Sequence, residues 1–520
     1  MKTVIVGGVA GGASAAARLR RLDESAEIVM FEGGEYISFA NCGLPYYIGG
    51  EIVKKSALTL QTPQSFRSRF NVDVRVNSEV TAIDRAAKTV TVNSKERGEY
   101  TESYDKLILS PGAAPIVPNM EGADLDRVFT LRNIPDTIKI KEYVEEEFPG
   151  SAVVVGGGYI GVEMAENLKK AGVEVTIVEL ADHVIAPLDY DMACDVHRHL
   201  RENGVTLILQ NGVQSIAEEG SKLKVTLSSG QVETDMVILA VGVRPDTALA
   251  KEAGLTLNPR GAIVVDEHML TSDPDIYAVG DAVEITDFVT GQKGYIPLAG
   301  PANKQGRIAA DNICGIPSVY KNTQGSSILK VFDMTVATTG VNERTAKAAG
   351  LNYDKVYTYS NSHASYYPGS TGMSIKTIYE KGTGRILGAQ IVGFDGVDKR
   401  CDVLATAIRA GMTASDLCDL ELCYAPPFGS AKDPVNFVGY VIENTLSGQV
   451  KNFFWDDVAS LPRDGSVTLL DVRTDSERGN GQYIEGFLHI PVDELRQRAG
   501  ELDKSKPVYI HCRTGLRSYV

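Results

Sequence analysis

The sequence predicts a multidomain α/β protein, and three observations carry that expectation. Two segments, Thr3 to Arg20 and Ala152 to Lys170, repeat one pattern of a short Val/Ile strand, a glycine-rich turn and a helix. Buried strands closed by turns follow each of them: Tyr104 to Leu109 runs into Ser110-Pro111-Gly112, and Met236 to Val241 into Gly242-Val243-Arg244-Pro245. From about Gly325 the pattern changes to strands such as Ser327 to Phe332 and Ile386 to Val392, with helices such as Cys401 to Ala410, which is an α+β unit. Beyond a polar linker near Ser447 to Asn452, a further α/β unit starts around Phe453.

A length of 520 residues suits three or four domains of ~100 to 200 residues each. The net charge of -15 opposes general binding to nucleic acid or to an anionic membrane, so neither is expected as a partner. No apolar run approaches the roughly 20 residues that cross a bilayer, and Met1-Lys2 leads straight into a strand, so the expected location is the cytoplasm. Seven cysteines, at 42, 194, 314, 401, 418, 423 and 512, are too few and too scattered for a disulfide framework. No C-x-x-C pair or Cys/His cluster has metal-ligand spacing, and no metal is expected.

The second glycine turn, Gly156-Gly157-Gly158-Tyr159-Ile160-Gly161, is a full G-x-G-x-x-G between the strand Ala152 to Val155 and a helix. Gly156 permits the tight turn, Gly158 lets backbone approach a pyrophosphate at the helix N-terminus, and Gly161 lets the helix pack closely on the strand. Eighteen residues beyond Gly161, Glu179 ends the next strand, where its carboxylate would accept from a ribose 2′-hydroxyl and repel a 2′-phosphate. NADH is therefore favoured over NADPH. The first turn, Gly7-Gly8-Val9-Ala10-Gly11-Gly12, keeps Gly7 and Gly12 but has Val9 in the middle. Its strand, a helix expected from near Ala13, and Glu32 at the end of Ile28 to Phe31 restore the dinucleotide reading.

Thr271 to Asp281, with Tyr277-Ala278-Val279-Gly280-Asp281 at its end, resembles the third flavin-contacting motif of two-dinucleotide-domain flavoproteins. That resemblance spans roughly residues 1 to 445 and implies FAD in the first site, with Asp281 holding the ribityl chain and Pro111 and Gly112 beside the flavin. It divides the chain into an FAD domain (1–115 and 245–322), an NAD(P)H domain (116–244) and a dimerisation domain (323–446).

Cys42 lies ten residues after Glu32 at a loop-to-helix junction, where a helix N-terminus would lower its thiol pKa. Tyr47 stands where disulfide reductases of the lipoamide and glutathione type carry a second cysteine. Cys42 alone must form a mixed disulfide with a small thiol, accept a sulfane sulfur, or oxidise to a sulfenic acid. The stretch Ser38-Phe39-Ala40-Asn41-Cys42-Gly43-Leu44-Pro45-Tyr46-Tyr47 resembles the active-site segment of the coenzyme A disulfide reductase family. The resemblance implies that Ser14, Arg18, Arg21, Ser38 and Asn41, with Asn303 and Lys432 more loosely, line the route for coenzyme A. It also implies a homodimer in which Tyr366 and Tyr424 reach the partner's active site, with Tyr367 a rival to Tyr366. Related peroxidases and oxidases carry a histidine where this chain has Ala10. The other cysteines, apart from Cys512, are expected in packing roles, and His183, His197 and His199 as surface or helix residues.

Leu469 to Arg473, Tyr483 to Pro491 and Val508 to Ser518 together resemble a rhodanese domain (453–520), with Cys512 as its nucleophile and Arg517 orienting an anion. Such a domain ordinarily continues with a further helix and strand, so the expectation is an incomplete domain with a poorly ordered Cys512. The combined expectation is an FAD-dependent NAD(P)H reductase of coenzyme A persulfide, polysulfide or disulfide. The alternatives are an NADH oxidase or peroxidase working through a sulfenic acid, and a flavin-bearing redox sensor or sulfur carrier.

Overall fold

A computed structural model describes residues 1–520, which divide into two compact units. The first comprises Met1–Gly325 with Leu329–Phe332 and is built on two parallel five-stranded sheets. In one, the order is Ile276–Ala278, Lys106–Leu109, Lys2–Val6, Glu27–Phe31, Asp73–Arg75. In the other it is Thr206–Ile208, Glu174–Val178, Ser151–Val155, Met236–Leu239, Val128–Phe129. The strand preceding each glycine turn is central, and Val4, Ile5, Val153 and Val154 on these strands are fully buried. Continuous apolar strands of this kind suit a parallel sheet covered on both faces.

Both glycine helices cross their sheets at very short range. A Cβ on Gly12 would stand 1.9 Å from the Gly7 carbonyl oxygen, and one on Gly161 would stand 2.0 Å from that of Gly156. The first helix runs Ala10–Leu22, three residues earlier than expected, with Gly11 and Gly12 inside its first turn. Glycine is a poor helix former, but here close packing on the strand outweighs that preference. The helix Ala299–Ile313 then lies against Ala10–Leu22, because Gly306 has no side chain: its Cβ would come within 2.3 Å of the Gly11 oxygen. His197 and His199, expected as surface or helix residues, do lie on the helix Tyr190–Glu202 but are buried. His197 Nε2 accepts the Val184 N–H, and burial lowers its pKa to about 4.

The second unit comprises Ser326–Ile328 with Asp333–Val520. Its antiparallel sheet pairs Met334–Gly340 with Ile386–Gly393, that strand with Gly372–Glu380, and Gly372–Glu380 with Tyr353–Asn361. Helices Val397–Ala410 and Pro434–Leu446 pack on it. After the linker, Phe454 caps the sheet, its ring 4.6 Å from Lys355 Nζ and 5.7 Å from the Tyr357 ring. A small parallel sheet follows, with Thr468–Asp471 between Leu488–His489 and Val508–His511.

One buried ion pair holds the helices of this unit. Arg400, 1% exposed, donates to Asp433 Oδ2 at 3.1 Å, while Asp433 Oδ1 accepts the Val435 N–H and caps the helix Pro434–Leu446. Asp433→Ala would strand the guanidinium in the interior and remove the cap. The expected loss is about 3–5 kcal/mol, read as a lower midpoint in urea unfolding followed by far-UV circular dichroism.

Candidate active site

The two glycine turns hold their acids in the same way. Gly8 N–H donates to Glu32 Oε2 at 2.9 Å and Gly34 N–H to Oε1 at 3.0 Å. Gly157 N–H donates to Glu179 Oε2 at 2.6 Å and Ala181 N–H to Oε1 at 2.8 Å. Each carboxylate is thus fixed beside its turn at the end of the second strand. Gly7 (φ 98°) and Gly156 (φ 105°) take the left-handed backbone the turn requires. Around Gly158 nothing lies within 4 Å of a would-be Cβ, so the N-terminus of the second helix is open to an approaching phosphate.

The residues near Asp281 fit a flavin. Burial raises the Asp281 pKa, with Arg132 pulling the other way, and its carboxylate accepts no hydrogen bond from the chain. The Tyr295 hydroxyl, whose pKa burial and then the Asp281 charge raise, is buried without a partner. Gly112 (φ 77°) follows Pro111, and a Cβ there would strike Arg132 Nη2 at 2.6 Å. The buried Gln305 accepts the Gly280 N–H at 2.8 Å and fixes the turn that carries Asp281.

Cys42 sits in a single helical turn, Asn41–Gly43, ahead of the short helix Leu44–Ile48. It is exposed, yet its thiol pKa is raised, first by the atoms packed around it and then by the charges of Glu163 and Asp281. This reverses the expected depression. A five-residue helix supplies little dipole, and burial, with two carboxylates from distant parts of the chain, outweighs it. Asn41 Oδ1 is buried without a partner beside it. Glu163, which the sequence reading passed over, receives the Tyr46 hydroxyl at 3.4 Å. Its only sequence signal is a carboxylate set among the buried helix residues Val162, Met164 and Ala165.

A groove of about 360 Å³ gathers Ser14, Arg18, Arg21, Ser38 and Asn303. It adds Arg307, one turn beyond Asn303, and the rings of Phe66 and Phe70, tilted to one another with centroids 4.8 Å apart. Ser14 Oγ donates to Asn303 Oδ1 at 2.5 Å, and Arg18 Nε is held by Asp311 at 2.6 Å. That pair aims the Arg18 guanidinium and also claims part of its charge. Asn41 does not line this groove, and Lys432 lies exposed in the second unit.

In the second unit, the Tyr366 and Tyr424 hydroxyls stand 3.1 Å apart. Tyr366 is 74% exposed, whereas the Tyr367 ring rests against His363. The geometry therefore pairs Tyr424 with Tyr366. Cys512 lies in a formed loop, against the expectation of poor order. Burial opposes ionisation of its thiol, but amides of Ser518, Thr514 and Gly515 and the Ser518 hydroxyl outweigh it and lower the pKa. Arg517 is engaged by Glu477 through two hydrogen bonds of 2.7 and 2.8 Å, a second carboxylate not anticipated from sequence. Among the cysteines expected in packing roles only Cys401 is buried, while Cys194 and Cys423 are exposed. No three His, Cys, Asp or Glu side chains come together in a group that could hold a metal ion.

Comparison with known proteins agrees with this arrangement. Residues 1–306 match the pyridine nucleotide-disulphide oxidoreductase family, 326–434 its dimerisation domain and 455–520 the rhodanese-like domain. The chain belongs to the pyridine nucleotide-disulphide oxidoreductases. Within that family it is 36% identical to a coenzyme A disulfide reductase of Staphylococcus haemolyticus over 84% of this chain and 98% of the relative. It is 35% identical to an NADH oxidase of Methanocaldococcus jannaschii over 84% and 97%. Among solved structures, reduced CoADR-RHD from Bacillus anthracis is 52% identical with a TM-score of 0.96, covering 100% of this chain and 93% of that one. An NAD-dependent persulfide reductase from A. fulgidus is 41% identical with a TM-score of 0.93, covering 100% and 95%.

The opposite pKa directions of Cys42 and Cys512 have a direct readout. In a limited iodoacetamide pulse at pH 7, peptide mapping should find Cys512 modified several-fold ahead of Cys42, because the thiolate is the reactive form.

Proposed function

We propose that the protein uses NADH to reduce the sulfur–sulfur bond of coenzyme A persulfide, with polysulfide and coenzyme A disulfide as further acceptors, through Cys42. FAD would be held by Gly7, Gly12, Glu32, Pro111, Gly112 and Asp281, and NADH by Gly156, Gly158, Gly161 and Glu179. When bound there, the flavin supplies two-electron transfer between nicotinamide and sulfur. The observation that carries the substrate class is the groove: three arginines, Arg18, Arg21 and Arg307, with Ser14, Ser38 and Asn303, face one opening whose Ser38 is four residues from Cys42. Guanidinium groups suit a phosphorylated carrier, and the Phe66 and Phe70 rings suit its base.

In this reading Cys42 captures one sulfur covalently, which divides a difficult cleavage into two transfers. Asn41 Oδ1, buried and unpartnered, would receive a donor from the bound carrier. Tyr366 and Tyr424, exposed as a hydrogen-bonded pair, would act on the partner subunit's site in a homodimer. The Cys512 loop would carry sulfane sulfur, with the substrate anion competing with Glu477 for Arg517. Lys432, exposed and unengaged, would contact the carrier's charged end. The setting is cytoplasmic, and no helix is long and apolar enough to cross a membrane. Ala10 in the first turn weighs against peroxide or oxygen as the main acceptor.

Two variants test this. Cys42→Ser should lose at least ~10³-fold of NADH oxidation with coenzyme A persulfide under anaerobic conditions while NADH still bleaches the flavin. Undiminished turnover, or faster turnover with peroxide, would sink the mechanism. Arg21→Ala with Arg307→Ala should raise KM for coenzyme A substrates by about tenfold or more, on the scale of a lost charge-assisted hydrogen bond, and leave KM for inorganic polysulfide unchanged.

A further inference from the structure

The Tyr366 and Tyr424 hydroxyls share one hydrogen bond. Each phenol brings one hydrogen, so one O–H of the pair stays free to donate to sulfur at the site it serves. That arrangement lasts only where both rings are held. Packing does not hold the Tyr366 ring, which is 74% exposed, and ordering a free side chain costs rotamer freedom. Its place has to come from the loop that carries it.

We infer that His363 is the positioning residue of this pair: its buried imidazole braces the loop from Ser362 to Thr371 from inside and so sets the Tyr366 hydroxyl against that of Tyr424. This rests on the tyrosine pair acting at the sulfur site of a partner subunit. The loop joins the strands Tyr353–Asn361 and Gly372–Glu380, which pair as far as Asn361 with Gly372. Ser362, His363 and Ala364 form its buried foot, and Ser365 to Gly369 its exposed tip.

The imidazole ties foot to tip. Its Nε2 meets the Pro368 carbonyl at 3.2 Å and its Nδ1 the Ser362 hydroxyl at 3.1 Å. A carbonyl oxygen only accepts, so Nε2 carries the ring hydrogen and Nδ1 accepts the Ser362 O–H. Asp395 Oδ2, 3.7 Å from Nδ1, lies beyond hydrogen-bond reach. Pro368 is two residues past Tyr366, so the Nε2 bond closes the tip on its far side. On the near side the Tyr367 N–H donates to the Ala364 carbonyl at 2.9 Å, a turn with Ser365 and Tyr366 at its centre. The Ser362 hydroxyl oxygen in turn accepts the Thr371 N–H at 3.2 Å, and the Ser370 hydroxyl donates to the His363 carbonyl at 3.0 Å. Both arms of the loop converge on one side chain.

The same ring sorts the two neighbouring tyrosines. Tyr367 stands edge-on to it, with centroids 5.8 Å apart and planes at 73°, and Tyr366 is left to face Tyr424. Tyr424 is tied to the same foot. A turn follows it, closed by the Gly429 N–H on the Ala425 carbonyl at 3.1 Å, and the Gly429 carbonyl accepts the Ala364 N–H at 2.9 Å. One backbone bond thus staples the two tyrosine loops at the residue next to His363. Gly429 also rests on the buried Arg400, where a Cβ would stand 3.5 Å from Nη2. The Tyr424 side therefore has the Arg400–Asp433 pair as its floor, and the Tyr366 side has the imidazole.

A histidine that served folding alone would cost stability and flavin without favouring either half of the catalytic cycle. One that positions Tyr366 acts only where Tyr366 acts. The test uses the full-length, FAD-loaded protein and a double-mutant cycle of His363→Phe with Tyr366→Phe, since phenylalanine fills the place of the ring without its nitrogens. Two rates are read: bleaching of the flavin by NADH in stopped flow, and anaerobic NADH oxidation with coenzyme A persulfide. Tyr366→Phe should lower kcat on the order of 10²-fold and His363→Phe on the order of 10-fold. Both should leave KM for coenzyme A persulfide and the bleaching rate as they are. The double variant should be no slower than Tyr366→Phe, and His363→Gln, whose amide can still donate to Pro368, should recover most of the lost kcat.

Losses that multiply in the double variant, or bleaching that slows together with turnover, overturn the inference. Should His363→Phe fail to retain FAD, the same cycle with Ser362→Ala, which removes the hydrogen bond to Nδ1, decides by the same criteria. Tyr366→Phe turning over undiminished would end the tyrosine reading and this inference with it. A slow Tyr366→Phe beside an unimpaired His363→Phe would overturn this inference alone.

Discussion

The first unit depends on backbone approaching backbone where a helix crosses the strand before it. At Gly12 over Gly7 and at Gly161 over Gly156, a methyl group would lie about 2 Å from a carbonyl oxygen, well inside contact distance. That constraint sets where each helix begins, aims its N-terminal amides at the mouth of the turn, and leaves the ends of the neighbouring strands free to present Glu32 and Glu179. A third close approach, Gly306 on Gly11, brings the helix Ala299–Ile313 against the first helix. The arginine groove is a product of that packing, because Ser14, Arg18 and Arg21 come from one helix and Asn303 and Arg307 from the other.

The two sulfur-bearing sites solve opposite electrostatic problems. Cys512 is ringed by amides of its own loop, which favour a thiolate even at the end of a small sheet. Cys42 is surrounded by packed atoms and carboxylates, which favour the thiol until a charge near it is neutralised. At the other site Glu477 holds the Arg517 guanidinium through two hydrogen bonds.

What the sequence made legible follows from locality. Glycine spacing, strand hydrophobicity and an acid at the end of the second strand act within about 30 residues, so both dinucleotide folds, and the pairing of Glu32 and Glu179 with their turns, could be read directly. The segment around Cys42, the Tyr366 and Tyr424 stretches and the three rhodanese motifs are contiguous and were recognisable as such. The helix start at Ala10 was missed because propensity argues against Gly11 and Gly12, while the strand beneath them argues for a helix.

The sequence by itself determined the fold class, the order of the domains and the solitary cysteine with Tyr47 in place of a partner. Only the tertiary structure decided the charge environment of that cysteine. Glu163 and Asp281 reach it from far along the chain, and Coulomb interactions depend on distance in space. The same holds for Arg307 in the groove, Glu477 on Arg517, and the contact between the Tyr366 and Tyr424 hydroxyls. Each is a side chain whose role depends on what folding sets opposite it.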